Sequence, residues 1–211
     1  MNLFILDTDP IQAARDHCDN HLVKMILEGA QILGSTMWIQ NGITSRKEIN
    51  ALTEVPDYWN GFPRQTPEGV PLPYGIGFAN HPSSKWTRSS YENWKWTVDL
   101  CVEMSFEHER RWGRVTSMRK IVEWFASHRP PGLAEIGITP FYLAMPDQIK
   151  TEDPVHSYRL YYAGWKEYFA KWKSSEPSWW NEYLEIVKTQ KELYGLHPKV
   201  ISRIENGTFS I

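Results

Sequence analysis

At 211 residues and 41% hydrophobic, the chain carries enough apolar mass to bury a sizeable core as one domain, without metals or disulfides to staple it. Its 23 basic and 25 acidic residues give a formal charge of -2, which excludes a global field for nucleic-acid backbones and confines any such contact to a local patch. Cys18 and Cys101 are too few for a disulfide framework and fit buried thiols in a reducing compartment, and no run reaches the roughly 18 apolar residues of a membrane span.

The start, MNLFILDTDP, lacks the basic flank and long apolar run of a signal peptide, so a cytoplasmic location without membrane contact is expected. Residues 2–6 read as a buried strand or extended segment, followed by Asp7-Thr8-Asp9-Pro10, a capping group with proline in the first helical turn. The first helix is expected to run unbroken to about Gln40, where Asn41-Gly42 supplies a left-handed stop. Along it Ala14, Cys18, Leu22, Met25, Ile26, Gly29 and Leu33 recur at three- and four-residue steps, and His17, His21, Lys24, Glu28 and Gln31 form a neighbouring polar stripe.

From Thr44 to Ala79 the pattern dissolves among prolines and glycines, over a stretch too long for a mere connector. It is either disordered or a lid, and Tyr58, Trp59, Phe62 and Tyr74 favour a packed lid. Helical patterning resumes at His81-Pro82-Ser83-Ser84 and reads as one long central helix ending near Gly113. A helix over Ser117 to Ser127, a helical turn or two within Gly137 to Met145, a helix from Asp153-Pro154 to near Ser174 and a short one from Glu176-Pro177 follow. The tail, 194–211, is weakly patterned. The fold class is therefore mainly α: a single helical domain over 1–211, with a short N-terminal strand or extended segment and a long Pro/Gly-rich lid loop at 44–79.

Three constellations bear chemistry. In the first, His17, Asp19, His21, Lys24 and Glu28 crowd one helix stripe, where Lys24 would hold phosphate as a point charge with Glu28 orienting it and His17 or His21 moving a proton. Such i,i+4 groups also form ordinary surface pairs. His-x-x-x-His suits zinc, with Glu28 as a third ligand, but the protease form needs Glu after the first His and Cys18 stands there, so no metal is assigned. In the second, residues 80–96, His81, Lys85 and Arg88 lie beside Trp86 at a helix N-terminus suited to phosphate, although a capped core helix has the same pattern. In the third, residues 157–173 interleave Tyr158, Arg159, Tyr162, Trp165 and Lys166, as a groove for stacked bases or a core helix would. All three share one demand, an aromatic and partly cationic pocket.

The segments MNLFILDTDPIQAARDHCDNHLVKMILEGAQIL, NHPSSKWTRSSYENWKW, GITPFYLAMPDQ and DPVHSYRLYYAGWK resemble a widespread family of small tailed-phage proteins, over about residues 1–175. Some members carry the label pyrimidine-dimer DNA glycosylase-like. The matching positions include Asp7, Asp9, Pro10, His17, Asp19, His21, Lys24, Glu28, His81, Trp86, Pro140, Tyr158 and Tyr162. The resemblance implies a phage accessory protein in the host cytoplasm, with Lys24 and His21 as carriers of any activity. One departure is that dimer-specific glycosylases attack the sugar with an N-terminal amine exposed after Met removal. This chain begins Met1-Asn2, where a bulky second residue should retain Met1. A glycosylase here would need Lys24 as the amine, or Glu28 to activate water, with a flipped base in the aromatic pocket.

The reading that follows is a protein that binds a nucleotide or nucleobase, in single-stranded or flipped-base DNA or free, and processes it by glycosylase- or nucleotide-modifying chemistry. Lys24, Glu28, His21 and His17 are the catalytic candidates; Asp19, His81, Lys85, Arg88, Trp86, Tyr158, Arg159, Tyr162 and Lys166 are the ligand-binding ones. No cofactor is implied. The competing readings are a non-enzymatic sponge for a nucleotide-derived host immune signal and a host-protein interaction module, the latter with the aromatic excess in a homo-oligomer interface.

Overall fold

The computed structural model describes residues 2–64 and 74–209. Among them every regular element is a helix and there is no strand, so the mainly α class holds. Leu3–Leu6 is buried but extended without a ladder partner: the Leu6 N–H turns back to the Phe4 carbonyl, and the Tyr142 hydroxyl accepts the Leu3 N–H at 2.8 Å and donates to the Leu3 carbonyl at 2.6 Å. A tyrosine thus takes the place of a neighbouring strand.

Helix α1 (Pro10–Asp16) starts as the sequence predicts, with the Asp9 carboxylate capping Ile11 N–H and Pro10 in the first turn. The expected single helix to Gln40 is instead two. His17 and Cys18 are extended, and α2 (Asp19–Gln40) begins anew. The break is stabilised from outside. The fully buried Arg111 guanidinium donates to the Arg15 and His17 carbonyls at 2.8 Å each and to Asp19 at 2.9 Å, while the Asp19 N–H finds the Lys171 carbonyl. No local pattern announces such a partner 90 residues away.

Helix α2 ends at Gln40 with Gly42 left-handed at φ 83°, and the short α3 (Arg46–Asn50) opens with a Ser45/Glu48 capping box. Of the expected lid, Tyr58, Trp59, Phe62 and Tyr74 do pack on the core, and Trp59 stacks on Trp124 at 5.1 Å; residues 65–73, with Pro67, Gly69, Pro71 and Pro73, lie outside the described residues. The central helix is also split. Helix α4 (Pro82–Thr87) stops because the Asn93 amide takes the Trp86 carbonyl, and Ser90 caps a fresh helix, α5 (Tyr91–Trp112), closed by left-handed Gly113.

Helix α6 (Arg119–Ser127) follows as predicted. Residues 137–145 hold no helical turn, since Thr139 N–H is claimed by the Asn93 side chain and only Asp147–Ile149 winds into a 3-10 turn. Helix α7 (Pro154–Lys166) gives way to a 3-10 turn at Glu167–Phe169 and does not reach Ser174. The chain leaves the helix there and supplies Lys171 O to the start of α2. Helices α8 (Trp180–Thr189), α9 (Lys191–Tyr194) and α10 (Pro198–Glu205) complete the fold. The last of these corrects the expectation of a weakly structured tail, since Val200 is fully buried.

Helix α5 is the axis, packed by α1, α2 and α6, and α7 and α8 pair with each other. Helix α5 meets α2 tightly at Gly29, where a Cβ would overlap Cys101 Sγ. One hydrophobic cluster runs through the whole molecule, and all eleven tryptophans are buried in it or packed against it. The aromatic excess therefore builds the core first. Among the described residues no helix is long and apolar enough to cross a membrane.

Candidate functional site

Phe4 stacks on His21 at 4.4 Å between ring centroids and meets Tyr162 edge-on at 5.3 Å, which sets the N-terminal segment between α2 and α7. Beside it opens a cleft of about 240 Å³. Helix α2 contributes His21, Lys24, Met25 and Glu28; α7 contributes Tyr161 and Lys166; the flanking segments add Asn2, Phe4 and Ala144. Of the four catalytic candidates, the fold thus brings three into one cavity and adds Lys166 from 140 residues away.

Lys24 Nζ stands 3.2 Å from Glu28 Oε1, and the other oxygen of Glu28 accepts the Asn2 N–H at 3.3 Å. The Lys24 side chain is 65% exposed against 13% for Glu28, so this pair contributes little stability and positions charge instead. Lys166 differs. Its ammonium sits 4.7 Å from the Tyr161 ring centre, it has no acidic partner among the described residues, and burial together with the nearby Lys24 charge lowers its pKa. A desolvated amine beside a second cation is the arrangement that turns lysine into a nucleophile.

His21 is held at 2.7 Å from the Tyr162 hydroxyl through Nδ1, and burial, followed by the charges of His17, Lys166 and Lys24, pushes its pKa down to about 2. It is a neutral imidazole at any physiological pH. Tyr162 accepts the Cys18 N–H at 3.2 Å, and its hydroxyl lies 2.7 Å from His21 Nδ1 and 3.5 Å from Cys18 Sγ. With the hydroxyl hydrogen on Nδ1 the ring proton is on Nε2, a neutral donor for a ligand; with it on Cys18 Sγ, Nδ1 donates to Tyr162 and Nε2 is a neutral acceptor.

The other candidates are distributed differently. His17 does not line the cleft: it is fully buried, edge-on to Phe4, donating through Nδ1 to Ala13 O at 2.6 Å; its pKa falls to about 4, chiefly from desolvation, and its Nε2 has no hydrogen-bond partner. Tyr158 and Tyr162 are fully buried behind the lining, edge-on to Phe4, and the Tyr158 hydroxyl donates to Asn2 Oδ1 at 3.2 Å. Asp19 belongs to Arg111. Arg159 lies elsewhere, donating to Leu6 O and paired with Asp7 over Trp179. His81 caps α4 through Nδ1, and its pKa is lowered by burial yet raised by Glu28, which places it within electrostatic reach of the cleft. At that helix start His81 already occupies the Ser83 amide expected for phosphate, Trp86 is stacked on Phe141 in the core, and Arg88 donates to Ala79 O. Lys85 is exposed and lines no described cavity.

Sequence reasoning missed Asn2, Phe4, Ala144 and Tyr161. The signal for the first two was present, because alternate residues of an extended segment share a face. Met1, on which the expectation about an N-terminal amine rests, lies outside the described residues. The break at His17–Cys18 separates the two histidines of the His-x-x-x-His pattern, and among the described residues no three His, Cys, Asp or Glu side chains group as a metal cage.

Two of the further cavities are lined by charged side chains beside α1 or α2. One, about 580 Å³, runs past Arg15, Asp16, Glu107 and Arg110, but its arginines are paired with Glu103 and Glu107, and the Asp16 carboxylate is filled by Trp179 and Gln12 donors. The second, about 310 Å³, lies along α2 between Gln31, Arg46 and Tyr74–Phe78. Phe78 there is 63% exposed and is the one non-glycine residue with positive φ, 54°, among the described residues, a conformation that costs roughly 1–2 kcal/mol. No protein-family profile, curated protein or solved structure matches the chain.

Proposed function

We propose that this protein is a tailed-phage accessory protein that binds a nucleotide or nucleobase in the Lys24–Glu28 cleft and processes it by amine chemistry of the glycosylase type. The observation that carries the reading is the convergence of two lysine amines, a carboxylate and a neutral imidazole on one small cleft walled by Phe4 and Tyr161. At about 240 Å³ the cavity is smaller than the roughly 300–1,000 Å³ of typical ligand pockets, which suits a base or a mononucleotide head.

In this reading Lys24 meets phosphate, and the His21 Nε2–H donates to a ring or carbonyl acceptor of the base. Lys166, the more desolvated amine, takes the nucleophile's role that the sequence assigns to Lys24. Its lone pair forms a bond to the sugar C1′ as the bond from C1′ to the base breaks, and the electron pair leaves with the base. Glu28 accepts the proton shed by the attacking amine and returns it to the departing base anion, so the carboxylate is restored.

The test is chromatography of nucleotides and short oligonucleotides after incubation with the protein, before and after heat release. New peaks that vanish with Lys166→Ala and with Glu28→Gln, both still folded, support the reading. A compound that disappears and returns unchanged on heating overturns the chemistry and leaves a sponge for a nucleotide signal. No retention at all overturns nucleotide handling and favours a host-protein interaction module.

A further inference from the structure

The cavity beside Phe78 lies further along the same helix as the Lys24–Glu28 cleft, since Gln31 on its wall follows Glu28 by three residues on the same face of α2. Phe78 is displayed there at two costs, exposure of an aromatic ring and a left-handed backbone. The loop is held in that shape from both sides. Ser35 Oγ accepts the Gly77 N–H and donates to the Gly77 carbonyl, both at 3.0 Å; the Phe78 carbonyl accepts the His81 N–H at 2.8 Å; and Arg88 grips the Ala79 carbonyl at 2.6 Å. A ring fixed in this way loses little freedom when another ring stacks on it.

The neighbouring groups specify what that ring would be. Arg46 is exposed, lies against Gly75, whose missing side chain leaves its Nε 3.5 Å from where a Cβ would stand, and has no carboxylate partner among the described residues. A flat apolar face, an available guanidinium and the Gln31 amide match a base, a phosphate and a base edge in turn. We infer that Phe78, Arg46 and Gln31 form a stacking subsite for an unpaired nucleotide of a single strand whose neighbouring nucleotide occupies the Lys24–Glu28 cleft. This rests on the proposed function, since the strand must run from one cavity to the other. It makes an oligonucleotide, rather than a free nucleotide, the preferred ligand.

The experiment compares binding of dTMP and of oligothymidylates two to six residues long by the full chain and by Phe78→Gly, with thermal unfolding in parallel. Glycine relieves the positive φ, so the variant should melt no lower than the parent, while its oligonucleotide affinity falls about tenfold and its dTMP affinity stays unchanged. Arg46→Gln should weaken the oligonucleotide alone, with a shallower salt dependence. Wild-type protein that binds dTMP but gains nothing with a longer strand, or a Phe78→Gly variant that binds the strand as the parent does, overturns the subsite and leaves the cleft reading intact. Binding of neither ligand overturns both.

Discussion

His17 and His21 share one physical fate: both imidazoles are buried neutral, with pKa values pushed down to about 4 and about 2 from 6.5. The unfolded chain takes up protons below pH 6.5 that the folded protein refuses, so this stability is fully present above pH 6.5 and is lost as pH falls toward 4. For His17 alone the loss approaches roughly 3 kcal/mol, at about 1.4 kcal/mol per pKa unit. Asp16, whose pKa is raised by burial, acts in the opposite direction, its stabilisation being lost as pH rises. The net expectation is a melting temperature that drops between pH 6.5 and 4. His17→Asn, which keeps a donor for the Ala13 carbonyl, should flatten that drop in a pH series of thermal melts. Lys166 makes a second residue-scale prediction. Competitive labelling of lysines across pH, read by mass spectrometry, should find it reacting at lower pH than Lys24, and Lys24→Met should move its reactivity back toward ordinary lysine. Equal profiles for the two amines would remove Lys166 from the nucleophile's role.

The break between α1 and α2 depends on one side chain. Arg111 has four donor contacts, to Arg15 O, His17 O, Asp19 and Glu107, and no exposure of its side chain. A lysine there has no planar fork to reach two carbonyls and two carboxylates. Arg111→Lys should cost about 3 kcal/mol, on the scale of a broken buried ion pair, or roughly 6–12 °C in melting temperature. It should also disturb the cleft, because His21 lies in the first turn of α2. The α2–α5 contact makes a separate prediction. Gly29→Ala should cost about 1–3 kcal/mol by overpacking despite alanine's better helix propensity, since its Cβ meets Cys101 Sγ. Cys101→Ala in the same chain should recover most of that loss, which a double-mutant cycle measures directly.

At the scale of the whole molecule, the first segment is part of the core and of the cleft at once. Leu3, Phe4, Ile5 and Leu6 are each at most 4% exposed, and at about 1.5–3 kcal/mol per buried side chain their sum is comparable to the total stability of a domain. A chain lacking residues up to Leu6 should therefore lose its near-ultraviolet circular dichroism and cooperative melting, not merely its ligand site. The same segment explains why composition was a poor guide to where aromatics act. The aromatic excess left Trp86 and Trp165 as stacking candidates, yet all eleven tryptophans serve the core, and Phe78, exposed beside a cavity, stands in a loop with almost no periodic signal.

What was legible in the sequence was whatever depends on neighbours within a helical turn or two. The helical class, the Asp9-Pro10 and Asp153-Pro154 starts, the left-handed glycines at 42 and 113 and the His21, Lys24, Glu28 stripe all follow from local periodicity and capping. What only the tertiary structure decided was where helices stop and what faces the stripe. Arg111 and Lys171 end the first helix from afar, and Asn93 ends another, because a buried carbonyl or amide takes any partner that satisfies it, whatever its distance in sequence. Lys166 reaches the cleft for a similar reason. Helix α7 brings Tyr162 under His21 to satisfy a buried imidazole, and with it the amine that the sequence had placed in a different constellation.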